Sequence, residues 1–189
     1  MRSQAFHILA VCTGNASRSP AVERLLRAGL GPTVTVASAG TAAVVGAPIA
    51  PEMASLLGAA GCDVAAFAAR RVTPEMLAHT DLVLALARDN LDHVIAQVPA
   101  IAGRAFTLTA FARSVGAAPT GDAERVPAER LRHLVAWASG SGPPAPRADD
   151  DVPNPFGHGQ AAYERAFDQI RRATDLIVAG ARAHGTPSG

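Results

Sequence analysis

Hydrophobic and polar positions along the chain follow two periods. Residues 6–11 (Phe6 to Val11) form a short apolar run, which predicts a buried strand. Residues 33–37 alternate and are rich in β-branched side chains, which predicts a second strand. Residues 81–86 and 106–108 predict a third and a fourth. Helical patterns separate them. Residues 20–28 place Val22, Leu25 and Leu26 on one face, and Gly29 closes that helix. A second helix starts at Pro51 and ends near Gly61, a third opens at Thr73 and Pro74, and a fourth covers residues 88–98. Ser38, Ala39, Gly40 and Thr41 read as a turn. Strands that alternate with helices predict an α/β fold: a four-stranded parallel sheet with helices on both faces.

Beyond the fourth strand the pattern loosens. Residues 114–126 read as a loop, and 127–138 as a helix carrying Leu131, Leu134, Val135 and Trp137. Residues 139–148 are rich in Gly, Pro and Ser and read as mobile. The last helix, 160–183, puts Tyr163, Phe167, Ile170, Thr174 and Ile177 on one packing stripe. Residues 184–189 read as a disordered tail. No internal repeat interrupts this order. One domain over residues 1–189 is expected, elaborated over 114–148.

Composition narrows the field. The 189 residues suffice for one full core, and 49% are apolar. Seventeen basic residues, all arginine, balance sixteen acidic ones, so no broad basic face argues for nucleic acid or an anionic membrane surface. Two cysteines, Cys12 and Cys62, make no disulfide framework. No stretch reads as a signal peptide or a membrane span. The cytoplasm is the expected location, and a reducing compartment suits a reactive thiol.

The candidate chemistry lies between the first strand and the first helix, in Val11-Cys12-Thr13-Gly14-Asn15-Ala16-Ser17-Arg18-Ser19-Pro20. Such a turn aims backbone N–H groups at one point, and the helix N-terminus adds partial positive charge there. Arg18 offers a planar fork that can grip two phosphate oxygens. Cys12 lies under the same field, which favours its thiolate. The loop thus offers a nucleophile beneath a dianion cradle, suited to attack of sulfur on phosphorus. Ser19 can cap the helix and donate to the Cys12 sulfur. Gly14 supplies backbone freedom, and Asn15 tolerates a left-handed conformation. A cysteine and an arginine six positions apart are a weak signal alone, since Cys12 by itself could be a buried packing thiol. The surrounding residues sharpen it.

Val-Cys-Thr-Gly-Asn-x-x-Arg-Ser-Pro, following a strand, resembles the phosphate-binding loop of the low-molecular-weight protein tyrosine phosphatases. The resemblance implies a bacterial hydrolase of phosphotyrosine or an aryl phosphate. It makes Cys12 the nucleophile, gives Arg18 and the amides of Thr13, Gly14, Asn15, Ala16, Ser17 and Arg18 the phosphoryl oxygens, and has Ser19 tune the thiolate. It implies no metal and no cofactor, and a phosphorylated protein or aryl phosphate as partner.

The resemblance resumes at Asp149-Asp150-Asp151-Val152-Pro153-Asn154-Pro155-Phe156-Gly157. The family carries there an aspartate, directly before a proline and an aromatic residue, that protonates the leaving group. Alignment on Pro155 and Phe156 puts Asn154 at that position. An amide donates a hydrogen bond but delivers no proton. Three readings stay open: an attenuated enzyme, Asp151 standing in as the acid from a flexible loop, or a substrate that needs no acid or is bound without cleavage. Asp149 and Asp150 read as a solvated loop, His158 as a surface histidine, and Cys62 as a small packing residue. Phe156 could wall an aryl pocket. Ser17 stands where many relatives carry a second cysteine. Ala16 matches neither the isoleucine of phosphotyrosine-selective relatives nor the threonine of phosphoarginine-selective ones, and no bulky aromatic follows Gly40. The alternatives are a catalytically weak phosphate- or phosphoprotein-binding module, a phosphoarginine phosphatase, and an arsenate reductase. The last lacks the further pair of cysteines a thioredoxin-coupled relay needs.

Overall fold

A computed structural model describes residues 5–119, 126–140, 145 and 147–182. The chain runs β1 (Phe6–Cys12), α1 (Arg18–Leu30), β2 (Val34–Gly40), α2 (Pro51–Ala59), α3 (Pro74–Ala78), β3 (Leu82–Ala85) and α4 (Arg88–Gln97). A 3₁₀ turn (Pro99–Arg104) leads to β4 (Ala105–Thr107), α5 (Leu108–Ala117), α6 (Pro127–Gly140) and α7 (Gln160–Arg182). The four strands form one parallel sheet in the order β2-β1-β3-β4.

Alternation along β1 divides the core. Phe6, Ile8, Ala10 and Cys12 face a cluster that includes Leu26 of α1, Phe111 of α5, Leu134 of α6, and Phe167 and Ile170 of α7. Leu9 and Val11 face a second cluster with Val83, Leu77, Leu91, Val94 and Ile101. The sheet is therefore covered on both faces, as the patterning predicts. The stripe Tyr163, Phe167, Ile170, Thr174 and Ile177 is buried along α7. No helix among the described residues is long and apolar enough to cross a membrane.

Several boundaries differ from the sequence reading. Helix α1 starts at Arg18, two residues before Pro20, because the Ser17 carbonyl already accepts the Ala21 N–H at 3.1 Å. Gly29 does not close α1: it lies inside the helix against Val178, and the chain leaves at Gly31, which has φ 75°. Residues 38–40 are not a turn: Ser38, Ala39 and Gly40 extend β2 and pair with Ala10, Val11 and Cys12.

The largest difference is α5. Leu108 belongs to this helix, not to the fourth strand, and residues 114–117 are helical where a loop is expected. Leu108, Phe111, Ala112 and Val115 recur at helical spacing and are all buried. The run of strand-forming residues just before them masks that period. Helix α6 runs two residues past Ala138, with Leu131 and Leu134 buried and Trp137 39% exposed. Residues 120–125, residues 141–144 and 146 of the 139–148 segment, and the tail 184–189 lie outside the described residues, so the expectations for them stand apart from this structure.

Candidate active site

The loop after β1 is built on Asn15. Its backbone has φ 51°, the left-handed conformation expected of it. Its buried side chain then ties three segments together. Nδ2 donates to Ser19 Oγ at 3.0 Å and to Ser38 Oγ at 2.9 Å, while Oδ1 accepts the Arg70 N–H at 2.9 Å. Ser38 Oγ donates in turn to Glu23 Oε2 at 2.5 Å, and Arg27 lies 3.2 Å from the other Glu23 oxygen.

Gly40 lets β2 approach this loop. A Cβ there would lie 2.5 Å from the Thr13 carbonyl oxygen and 2.9 Å from the Asn15 nitrogen. Thr41 and Ala42 donate their N–H groups to the carbonyls of Cys12 and Thr13 at 2.9 Å, and Ala50 donates to that of Ala16 at 2.7 Å. A trans peptide points its N–H opposite to its C=O. Carbonyls held outward therefore turn the N–H groups of Thr13, Gly14 and Ser17 the other way, as an anion cradle requires.

Cys12 is 2% exposed at the end of β1. Its Sγ lies 3.0 Å from Ser19 Oγ and accepts the Asn15 N–H at 3.2 Å. Ser19 Oγ also reaches the Ala39 carbonyl at 3.3 Å. A thiolate has no proton to offer, so Ser19 donates to sulfur whenever Cys12 is ionised. The expected helix-capping role of Ser19 is not seen. Ser17 occupies the N-cap and makes no capping bond with its side chain. Ser19 sits one residue inside the helix, turned to the sulfur.

Arg18 is 4% exposed. Its Nη1 donates to the Val152 carbonyl at 3.0 Å, and its buried Nε has no partner among the described residues. Burial pushes the guanidinium down from its ordinary value, while the negative charges of Cys12 and Asp151 pull it back up. A buried donor of this strength is suited to an anion oxygen. Asn90 Nδ2 donates to Thr13 Oγ1 at 3.2 Å on the far side of the loop.

The segment before α7 is rigidly held. Val152 is buried and donates its N–H to the Leu86 carbonyl at 2.8 Å. Asp151 is exposed, and its Oδ1 accepts the Arg88 N–H at 2.7 Å. Asp150 is not a solvated loop residue: it is 3% exposed and ion-paired with Arg113 of α5. Burial raises its carboxyl, but hydrogen bonds from Arg113 and the Arg147 N–H and the charges of Arg113 and Arg88 outweigh this, so it lies below its ordinary value. Asp149 is exposed, as expected.

Asn154 is exposed and forms no hydrogen bond among the described residues. With Pro153, Pro155 and His158 it lines a groove against α7. Phe156, 75% exposed, borders a separate cleft of about 590 Å³ with Ala16, Ser17, Ala50, Pro51, Glu52 and Tyr163. Ala16 and Ser17 bring that cleft to the loop, and Phe156 lines it from the segment before α7. Tyr163 was legible only as packing. Burial raises its phenol, and the nearby charge of Glu52 adds to the rise. Cys62 is half-buried after α2 and packs against the core. Among the described residues no group of three His, Cys, Asp or Glu could hold a metal ion.

The site thus lies where the first strand of a parallel α/β sheet ends in a buried thiol and the first helix begins with a buried arginine. Residues 7–124 match the profile described as "Low molecular weight phosphotyrosine protein phosphatase", and the chain belongs to that family. It is 28% identical over 178 residues to a probable low molecular weight protein-tyrosine-phosphatase, EpsP, of Ralstonia nicotianae, covering 94% of this chain and 97% of that one. It is 40% identical over 97 residues to the low molecular weight protein-tyrosine-phosphatase Etp of Escherichia coli K12, 51% of this chain and 65% of that one. Among solved structures, the YwlE arginine phosphatase of Geobacillus stearothermophilus superposes with a TM-score of 0.68 at 25% identity, covering 92% of this chain and 90% of that one.

Proposed function

We propose that this protein hydrolyses phosphotyrosine or another aryl phosphate through a cysteinyl-phosphate, with turnover slowed by Asn154. The observation that carries the reading is the pairing of a buried thiol, held by Ser19 and the Asn15 N–H, with a buried Arg18 whose Nε has no partner among the described residues. The amides of residues 13–18 and the Arg18 fork hold the phosphoryl oxygens and stabilise the charge of the transition state. The Cys12 thiolate attacks phosphorus, the P–O bond to the aryl group breaks, and the phenolate leaves with its electron pair. Water then cleaves the P–S bond and restores the thiolate. A placed acid contributes about 10²–10⁴-fold to such a step. Asn154 supplies none, and Asp151 has one carboxylate oxygen committed to the Arg88 N–H. The leaving group takes its proton from solvent. The reaction needs no metal or cofactor.

The names of EpsP and Etp favour phosphotyrosine, and that of YwlE keeps phosphoarginine as a substrate to compare. We place the protein in the cytoplasm, where a catalytic thiol stays reduced. Asn154 also favours a second reading, a phosphoprotein-binding module with little turnover. One experiment separates them: phosphate release from a phosphotyrosine peptide by wild type, Asn154→Asp and Cys12→Ser. The attenuated enzyme is expected to turn over slowly, to gain about ten-fold or more in Asn154→Asp, and to lose all activity in Cys12→Ser. No release by wild type or Asn154→Asp supports the binding module. Fast wild-type release that Asn154→Asp leaves unchanged refutes the attenuation.

A further inference from the structure

Arg113 sits on α5, away from the loop that carries Cys12 and Arg18, yet contacts connect it to Arg18. Its Nη1 pairs with Asp150 Oδ1, and its Nη2 lies 3.3 Å from Asp150 Oδ2 and 3.3 Å from the Ala145 carbonyl. The Arg147 N–H donates to Asp150 Oδ2 at 2.8 Å, and Thr109 Oγ1, also on α5, donates to the Asp150 carbonyl at 2.6 Å. Two residues on, Val152 presents its carbonyl to Arg18 Nη1 at 3.0 Å.

The physical consequence concerns Arg18. A free arginine side chain loses rotamer entropy when it is fixed, and a partner that holds it beforehand spares the anion that cost. Among the described residues the Val152 carbonyl is the hydrogen-bond partner that holds the guanidinium. That carbonyl is only as well placed as the backbone from Asp150 to Val152. With Arg113 removed, a buried carboxylate would lose its cation, and such a group moves toward water.

We propose that Arg113 is a positioning residue for the phosphate site: its ion pair with Asp150 holds the Val152 carbonyl against Arg18 and presets the guanidinium for an anion. The inference rests on the reading of Arg18 as the phosphate grip. Helix α5 thereby contributes to the site through the Asp150 carboxylate and backbone.

Calorimetric titration with inorganic phosphate tests this without requiring turnover. Arg113→Ala is expected to weaken phosphate binding about ten-fold or more, and Arg113→Lys to recover most of the loss. Thr109→Val removes only the bond to the Asp150 carbonyl and should weaken binding about three-fold. Val115→Ala, on the same helix but facing Gly180 of α7, should lower the melting temperature and leave phosphate affinity within about two-fold. A folded Arg113→Ala with affinity within about two-fold of wild type overturns the proposal. Should Arg113→Ala fail to fold, Thr109→Val decides, and unchanged affinity there overturns it. Absence of phosphate binding by wild type is a different failure, because it refutes the phosphate-site reading itself.

Discussion

Gly40→Ala is the sharpest steric perturbation this site offers. The added Cβ would meet the Thr13 carbonyl oxygen at 2.5 Å and the Asn15 nitrogen at 2.9 Å. Both are backbone atoms of the loop, so no side chain can rotate away. Relief requires β2 and the loop to separate by several tenths of an ångström. That strains the hydrogen bonds from Thr41 and Ala42 to the Cys12 and Thr13 carbonyls. Overpacking of this kind costs about 1–3 kcal/mol. For a chain of this size that is a fall of roughly 2–12 °C in melting temperature. The functional loss should be larger, because misplacing a reacting group by about 1 Å can cost about 10²-fold in rate. Gly29→Ala is the matched comparison. Its Cβ would meet Val178 Cγ2 at 2.4 Å and Cγ1 at 3.0 Å, and since a helical valine is stiff at χ1, α1 and α7 must shift apart there, at the end of α1 opposite the loop. The helix propensity gained by replacing glycine, about 1 kcal/mol, offsets part of the clash. Calorimetric melting together with phosphate titration would separate the two variants. Gly40→Ala should lose phosphate affinity, and Gly29→Ala should keep it. Wild-type affinity and activity in Gly40→Ala would refute the steric argument.

Other consequences can be checked directly. The folded-state carboxyl of Asp150 is depressed, so it contributes stability that is present above the unfolded carboxyl range near 3.9 and lost as pH falls through the folded value. Melting temperatures measured downward from neutral pH should therefore fall more steeply for wild type than for Asp150→Asn, and parallel curves would contradict the assignment. Ser19→Ala removes the hydroxyl 3.0 Å from the sulfur and leaves Asn15 Nδ2 with one acceptor fewer. It should lower kcat about 10–100-fold with a smaller change in KM, and an unchanged kcat would show that Ser19 is only packing. With Ser17 in place of a second loop cysteine, oxidised Cys12 has no neighbouring thiol in the loop to trap it as a disulfide. Peroxide inactivation should become irreversible at high dose, and full rescue by a thiol reductant at every dose would rule this out.

How far the site was legible depends on how locally each feature is encoded. The strand, loop and helix around Cys12 and Arg18 lie within one stretch, and Asn15 adopts the left-handed backbone its short amide side chain tolerates. The role of Ser19 was half legible. Its position beside the thiol follows from spacing, but the helix start at Arg18 denies it the cap. Nothing in the acidic run distinguishes Asp150 from Asp149, and they behave oppositely: one is buried and paired, the other exposed. Arg113, which makes the difference, lies 37 positions away on a helix that strand-like residues disguise. Gly40 reads as a turn glycine until β2 is seen to pass the loop at contact distance.

The amino-acid sequence alone determined the α/β alternation, the buried stripe of α7 and the loop from Cys12 to Arg18, because hydrophobic period, proline placement and short-range spacing act between near neighbours. Tertiary structure decided which aspartate is buried, what Arg18 leans on and why β2 ends in glycine. The Val152 carbonyl reaches Arg18 across 134 positions. Burial and charge pairing belong to groups the chain brings together only when folded, and the energy of an ion or a donor is set by those neighbours.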